Sequence, residues 1–100
     1  MEIRTTATFD QWLNTMKNIA AKTRIIAKIQ QCQQAGQLFG DIKSVGDNVH
    51  EMRFHFGAGY RIYYTQHGNT LVILLAGGDK STQQRDINNA KQLAQQLSEN

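Results

Sequence analysis

The amino-acid sequence predicts an α+β fold, in which a helical hairpin near the N-terminus packs on a small antiparallel β-sheet and a further helix follows at the C-terminus. Two observations predict this class. Apolar residues recur at helical spacing near both ends of the chain, and the stretch between them alternates or runs apolar as strands do. Strands and helices therefore occupy separate stretches of the chain, which is typical of α+β domains.

The first part of the chain predicts a short strand followed by two helices. The segment Glu2 to Thr5 could form the strand, and Thr8 with Gln11 resembles a capping box that opens a helix running to about Asn18. A second helix is expected to end at Gly36, a residue type common after helix C-termini. The apolar stripes that support the two helices are Phe9, Trp12, Leu13 and Met16, and then Ile25, Ile26, Ile29 and Cys32.

A β-meander is predicted in the second half. A short strand is expected around Asp41 to Ser44, and a later turn at His67-Gly68-Asn69 separates two longer strands. The segment Leu71 to Ala76 is apolar at every position, which predicts a central strand that is covered on both faces. We expect Gly77-Gly78 to stop this strand and a final helix to start at about Thr82.

The strands on either side of Gly57-Ala58-Gly59 predict a hairpin with two chemically different faces. A three-residue loop would pair Phe56 with Tyr60 and would place Phe54 opposite Ile62 on an apolar face. We expect the other face to be exposed to solvent. This basic face carries Arg53, His55, Arg61, Tyr63 and Glu51, and it is where we expect the function to lie.

Composition limits the possible classes of protein. One hundred residues allow one domain with one modest core, and no apolar run approaches the ~20 residues that a membrane span needs. The net charge of +3 is only weakly basic, so charge alone is a poor argument for a polyanionic partner. The lone Cys32 cannot form an internal disulfide, and His50, His55 and His67 fall on different faces or in a turn. We therefore expect neither a metal site nor another cofactor.

Two motifs in the second half are specific when they occur in this order, namely Gly57-Ala58-Gly59-Tyr60-Arg61 and Gly77-Gly78-Asp79-Lys80. With them, the chain resembles the RelE/ParE superfamily of toxins from bacterial type II toxin–antitoxin modules, in the HigB-like branch of addiction-module killer proteins. The match spans nearly the whole chain, and it includes Phe9, Trp12, Leu13, Arg24, Gly40, Asp41, Lys43, Val49, Glu51, Arg53, Asp86 and Ile87. The chain has Ala58 and Met52 where the family usually has Pro and Leu.

The resemblance implies one toxin domain over residues 1–100, which enters the ribosomal A site and cuts mRNA without a metal. Such toxins make the 2′-hydroxyl attack the adjacent phosphate, so they need a base, an acid and cations around the phosphate. Arg61 matches the family arginine most directly, Arg53 lies in the matching strand, and Lys80 stands at the usual basic position after the last strand.

Several relatives also use a C-terminal Tyr or His, and this chain has neither beyond Lys80. His55 or Tyr63 would have to substitute for it, and an imidazole can exchange a proton near neutral pH. The predicted catalytic residues are therefore Arg61, Arg53, Lys80 and His55, and the predicted RNA-binding residues are Lys43, Tyr63 and Arg85.

The implied partners are mRNA on the ribosome, a helix-turn-helix antitoxin of HigA-like type, and operator DNA that is bound through the antitoxin complex. No membrane partner is expected. The first residues lack the pattern of a secretory signal, which favours the bacterial cytoplasm. The antitoxin could cover the basic face directly, or it could bind elsewhere and make the toxin too bulky for the A site.

The sequence leaves other functions open. The chain could be a ParE-like toxin that inhibits DNA gyrase by contact, without catalysis, or an interaction domain that has lost toxicity. Arg53 and Arg61 could also do no more than pair with Glu51 across an exposed sheet, which would stabilise the fold little. The presence of Arg53, Arg61 and Lys80 together favours the endonuclease.

Overall fold

The computed structural model describes the backbone of residues 1–99 and the side chains of residues 1–98, and it confirms the α+β fold class. The predicted domain spans residues 1–100, of which Asn100 lies outside the described residues. In the described part, no helix is long and apolar enough to cross a membrane. The elements in chain order are β1 (Glu2–Thr5), α1 (Ala7–Asn14), α2 (Ile19–Ala35), β2 (Asp41–Gly46), β3 (Val49–Arg53), β4 (Arg61–His67), β5 (Leu71–Gly78), a 3₁₀ turn (Lys80–Thr82) and α3 (Gln83–Glu99).

Helix α1 begins at a cap other than the predicted one and ends at Asn14, before the predicted end at about Asn18. Thr6, not Thr8, caps α1, because its Oγ1 accepts a hydrogen bond of 3.1 Å from the amide of Phe9. Asn18 lies outside α1 and instead caps α2, through an Oδ1 that accepts a hydrogen bond of 3.1 Å from the amide of Ala21. The predicted end of α2 is confirmed, since Gly36 follows it in the left-handed conformation with φ 73°.

The described strands form one five-stranded sheet in the order β1-β5-β4-β3-β2. The prediction that β5 is an interior strand is confirmed, since it lies between β1 and β4. The sheet is antiparallel except at one edge, where β1 runs parallel to β5. This pair differs from the predicted antiparallel sheet. β1 and β5 are not consecutive strands, so no short hairpin requires them to run antiparallel.

The β3–β4 hairpin has the predicted faces but another register. Met52 pairs with Ile62 and Arg53 pairs with Arg61, which is two residues away from the predicted pairing. The loop is longer than three residues: the amide of Phe54 donates to the carbonyl of Tyr60 at 2.8 Å, and the residues between them form the turn. Because the shift is an even number of residues, every side chain stays on its predicted face.

Two apolar clusters lie on the two faces of the sheet. One contains Phe9, Ile25 and Cys32 of the helical hairpin together with Met52, Ile62, Tyr64, Val72 and Leu74 of the sheet. The other packs α3 on the opposite face and contains Val49, Tyr63, Leu75, Ala76 and Ala90. The prediction that the basic face is exposed to solvent is therefore wrong for about half of that face. Glu51 and Tyr63 are 0% exposed, and only the end of this face near the hairpin loop stays open.

Gly77 and Gly78 do not stop β5 but form its last two residues. A Cβ at Gly77 would overlap the ring of Trp12 on α1, and a Cβ at Gly78 would overlap the carboxylate of Asp86 on α3. The two glycines therefore allow helices to approach the strand from both faces.

Candidate functional site

An open cleft of about 600 Å³ lies at the end of the β3–β4 hairpin, and we call it the hairpin cleft. Arg53 ends β3 and Arg61 begins β4, and the two residues pair across the ladder on one face. The 3₁₀ turn closes the other side, because the amide of Lys80 donates to the carbonyl of Ala58 at 3.4 Å. The residues that line the hairpin cleft are Arg53, Phe54, His55, Phe56, Gly57, Ala58, Gly59, Arg61 and Lys80.

The loop conformation that shapes this cleft requires glycine. Gly57 has φ 56° and Gly59 has φ 74°, and the amide of Gly59 donates to the carbonyl of Phe56 at 3.1 Å. Residues with a Cβ rarely adopt such positive φ angles. At Gly59 a Cβ would also lie 3.4 Å from the Cβ of Lys80, so the glycine allows the 3₁₀ turn to come close.

Arg61 forms an ion pair with the buried carboxylate of Glu51. Its Nε lies 3.5 Å from Oε2 of Glu51, and the side chains of Arg61 and Glu51 are 12% and 0% exposed. Its Nη1 donates to the carbonyl of Gly59 at 2.8 Å. The expectation that Arg61 is exposed is therefore wrong, although it does line the hairpin cleft. These two contacts fix the plane of the guanidinium and leave further N–H donors for a ligand.

Glu51 is the centre of a buried polar network under α3. Its Oε2 accepts hydrogen bonds from the hydroxyl of Tyr63 at 3.1 Å and from Nε2 of Gln83 at 2.9 Å. Burial, and then the nearby Glu51 carboxylate, raise the pKa of the Tyr63 phenol. Tyr63 is therefore held as a neutral donor to Glu51 in the core. It is unavailable as an RNA contact or as a general acid in the cleft, which corrects both expectations for it.

Asp41, at the start of β2, joins Arg53 and His55. Nη2 of Arg53 donates to its Oδ1 at 2.9 Å, and Nε2 of His55 lies 2.5 Å from its Oδ2. The hydrogen bond with Arg53, and then the one with His55, lower the pKa of Asp41. A carboxylate that is shared in this way orients both side chains, as in base–carboxylate pairs of enzymes.

The 3₁₀ turn that carries Lys80 is fixed by its neighbour Asp79. Oδ1 of Asp79 accepts hydrogen bonds from the amide and the hydroxyl of Ser81, at 2.8 and 2.5 Å. These bonds lower the pKa of Asp79, with the hydroxyl of Ser81 as the largest cause. Lys80 itself is exposed, and its amide donates to the carbonyl of Ala58.

The structure thus brings together Arg53, His55, Arg61 and Lys80, which are the four residues predicted to be catalytic. The three residues predicted to bind RNA lie elsewhere. Lys43 is exposed on β2 opposite Glu51, Tyr63 is buried, and Arg85 is exposed on α3 with its Nε 3.7 Å from Oδ1 of Asp86.

Sequence reasoning missed the positions of Asp41 and Gln83 in this site. The signal for Asp41 was available, since it opens the strand that pairs with β3 and its register places it opposite Arg53. The contact of Gln83 with Glu51 depends on how α3 crosses the sheet, and no local pattern carries that information.

The hairpin cleft has the chemistry of an anion site. Three of its lining residues are cations and none is a carboxylate, because Asp41 and Glu51 lie behind the arginines that they hold. The imidazole of His55 adds a group that can accept or donate a proton. Among the described side chains, those of residues 1–98, no group of three or more His, Cys, Asp or Glu is arranged to hold a metal ion.

Comparison with known proteins found a matching family model, a similar protein and a similar solved structure. The family model "Phage derived protein Gp49-like (DUF891)" matches residues 11–99. An uncharacterized protein of Haemophilus influenzae is 53% identical over 97 residues, which are 97% of this chain and 96% of that protein. A chain in the crystal structure of the RelB–RelE antitoxin–toxin complex from Methanococcus jannaschii superposes with a TM-score of 0.64 and is 23% identical, over 82% of this chain and 95% of that one. This last likeness shows a shared fold.

Proposed function

We propose a function from the premise that the chain belongs to the family of phage-derived Gp49-like proteins. This family is a RelE-like toxin family, so the resemblance to the RelE/ParE superfamily is confirmed. Assignment to the HigB-like branch stays a prediction. Our proposal is that the chain is the toxin of a type II toxin–antitoxin module and cuts mRNA on the ribosome.

One observation carries the proposal, namely that Arg53, His55, Arg61 and Lys80 line one open cleft. In the proposed reaction the 2′-hydroxyl gives up its proton, its oxygen bonds to the adjacent phosphorus, and the bond to the 5′-oxygen breaks. The products are a 2′,3′-cyclic phosphate and a 5′-hydroxyl. Cations around the phosphate stabilise the additional negative charge of the pentavalent state.

The roles follow from which groups can exchange a proton. Arginine keeps its proton in proteins, so Arg53 and Arg61 act as phosphate clamps. Tyr63 is buried under α3, which leaves His55 and Lys80 as the groups in the cleft that can transfer protons. His55, oriented by Asp41, takes the proton of the 2′-hydroxyl, and the ammonium of Lys80 gives a proton to the leaving 5′-oxygen.

The proposed partners are an antitoxin of helix-turn-helix type, mRNA on the ribosome in the cytoplasm, and operator DNA bound through the complex. The shared fold with a chain of an antitoxin–toxin complex supports an antitoxin partner. The helix-turn-helix type of that antitoxin rests on the resemblance to the RelE/ParE superfamily. An acidic segment of the antitoxin would complement the three cations of the hairpin cleft, although exclusion from the A site by bulk would inhibit equally well.

The test is mRNA cleavage in a purified translation system. Wild-type protein should cut mRNA only when ribosomes are present, and Lys80→Ala should cut more slowly because the proton donor is missing. Lys17→Ala, which removes an exposed lysine outside the cleft, is the matched control and should cut like wild type. No cleavage by wild type would overturn the proposal. Gyrase-dependent DNA damage in cells would then support the gyrase inhibitor.

A further inference from the structure

A second open cleft, of about 460 Å³, lies on the other side of the residues that form the rim of the hairpin cleft. We call it the α2 cleft because α2 forms one wall, through Arg24, Lys28 and their neighbours. The residues from Arg53 to Phe56 line both clefts and form the ridge between them. A chain molecule bound in one cleft can therefore continue into the other.

Planar groups and cations are combined in the α2 cleft. The guanidinium carbon of Arg24 lies 3.9 Å from the centre of the Phe56 ring, and both residues line the cleft. Nζ of Lys28, a further lining residue, lies 3.9 Å from the centre of the Phe39 ring, which is outside the lining. The Phe56 ring is itself braced by the rings of Phe54 and Tyr60, with centroids 5.8 and 5.9 Å away. Guanidinium planes and aromatic rings are the surfaces on which unpaired nucleobases stack.

The charge of the α2 cleft also favours a nucleic acid. The structure describes every residue that lines the cleft. Arg24, Lys28 and Arg53 are the cations among them, and Asp41 is the one carboxylate. With His55 neutral, the lining carries a net charge of three minus one, or +2. Asp41 is already bound by Arg53 and His55, so Arg24 and Lys28 have no acidic partner in the cleft.

We propose that the α2 cleft is a second RNA subsite, which holds a nucleotide next to the phosphate in the hairpin cleft. Its base stacks on the Arg24–Phe56 pair, and its phosphate is bound by Lys28. This inference rests on the proposed function, since the strand in the hairpin cleft is taken to be RNA. An acidic peptide would use the two cations but not the stacked planar surface, so RNA is the occupant that the lining favours.

The experiment measures binding of a short single-stranded RNA by fluorescence anisotropy, with the full-length chain and at two salt concentrations. Each RNA has the same length and carries one abasic nucleotide at a different position. Wild type should lose affinity roughly tenfold when one particular base is missing, because one stacking contact is lost. Arg24→Ala should bind the intact RNA roughly tenfold more weakly and should no longer respond to the missing base.

Lys28→Ala should keep the response to the missing base and should show a weaker salt dependence, because one phosphate contact is lost. Lys22→Ala removes a lysine of the same helix that lines neither cleft, and should keep the wild-type response. If no abasic position matters in wild type, or if Arg24→Ala responds as wild type does, the subsite is overturned. Tighter binding of a polyglutamate peptide than of RNA, lost in Arg24→Ala, would overturn it in favour of a protein partner.

Failure of the subsite and failure of the proposed function are distinguishable. Suppose that wild type and Arg24→Ala cut mRNA at equal rates in the translation system, and that no missing base changes the affinity of wild type for RNA. The endonuclease proposal would then be supported, and the subsite would be overturned. A base-dependent loss of binding in a wild-type protein that cuts no mRNA would keep the RNA subsite and remove the catalytic proposal.

Discussion

Glu51 and Arg61 form an ion pair directly beneath the hairpin cleft, with Oε2 of Glu51 3.5 Å from Nε of Arg61. The carboxylate is fully buried, so deletion of the arginine would leave it without its charged partner. Truncation of Arg61 to alanine would therefore change the fold and the chemistry together. The role of Arg61 is better tested by a substitution that keeps the positive charge.

We expect Arg61→Lys to fold and to cut mRNA at least about tenfold more slowly than wild type. Lysine keeps the charge beside Glu51 but lacks the planar fork that can hold two phosphate oxygens at once. The measurements are the cleavage rate in the translation system and the thermal unfolding midpoint. Arg4→Lys, on the exposed pair with Glu2 at the edge strand, is the matched control. A folded Arg61→Lys protein with full activity would remove Arg61 from the proposed site.

Glu51→Gln should lower the free energy of unfolding by about 2–4 kcal/mol, because the amide keeps the size of the side chain and leaves Arg61 without its countercharge. Urea titration measures this effect. Glu2→Gln, which changes an exposed carboxylate, should leave the urea midpoint unchanged. Equal midpoints for Glu51→Gln and wild type would mean that the buried pair contributes nothing to the fold.

The approach of Trp12 to Gly77 predicts that Gly77→Ala lowers the free energy of unfolding by about 1–3 kcal/mol. The added methyl group would overlap the indole ring, so α1 would have to move away from β5. Trp12 is the one tryptophan of the chain, so its fluorescence reports this movement alone. In Trp12→Leu the same glycine substitution should cost less, which circular dichroism can measure. If Gly77→Ala lowers the free energy of unfolding as much in Trp12→Leu as in wild type, the added methyl group does not clash with Trp12.

Much of the fold was predictable because its signals are local. The alternation of Met52, Phe54, Ile62 and Tyr64 predicts their common face correctly, since side-chain direction depends only on the parity of position along a strand. The register was not predictable in the same way. It depends on the length of the loop, and the positive φ angles of Gly57 and Gly59 fit loops of several lengths.

The cations of the site were predicted from the sequence, but the buried residues that hold them in place were not. Motif position places Arg53, Arg61 and Lys80 together, and the structure brings them to one cleft. Burial of Glu51 and Tyr63 under α3 escaped prediction, because a strand that alternates apolar and polar residues looks the same whether its polar face meets solvent or a helix. Such a helix can be placed only from contacts between residues distant in the sequence.

Because Arg53 and His55 share the carboxylate of Asp41, the dependence of the protein's stability on acidic pH should change when Arg53 is removed. The hydrogen bond with Arg53, and then that with His55, hold the pKa of Asp41 below the ordinary value of 3.8. A carboxyl with a lowered pKa binds its proton more weakly in the folded state, so its stabilising effect is present above about pH 4. That effect is lost as the pH falls through the lower, folded-state value.

We therefore expect Arg53→Ala to raise the pKa of Asp41 toward its ordinary value and to flatten the dependence of stability on pH below about 4. Carboxyl ¹³C NMR titration measures the first effect, and urea unfolding at a series of acidic pH values measures the second. Arg4→Ala removes an arginine that contacts Glu2, so it should leave the titration of Asp41 unchanged. If the pKa of Asp41 is the same in Arg53→Ala as in wild type, Asp41 does not link Arg53 to His55. Orientation of His55 for proton transfer would then need another source, because Asp41 is the group that the structure places at its Nε2.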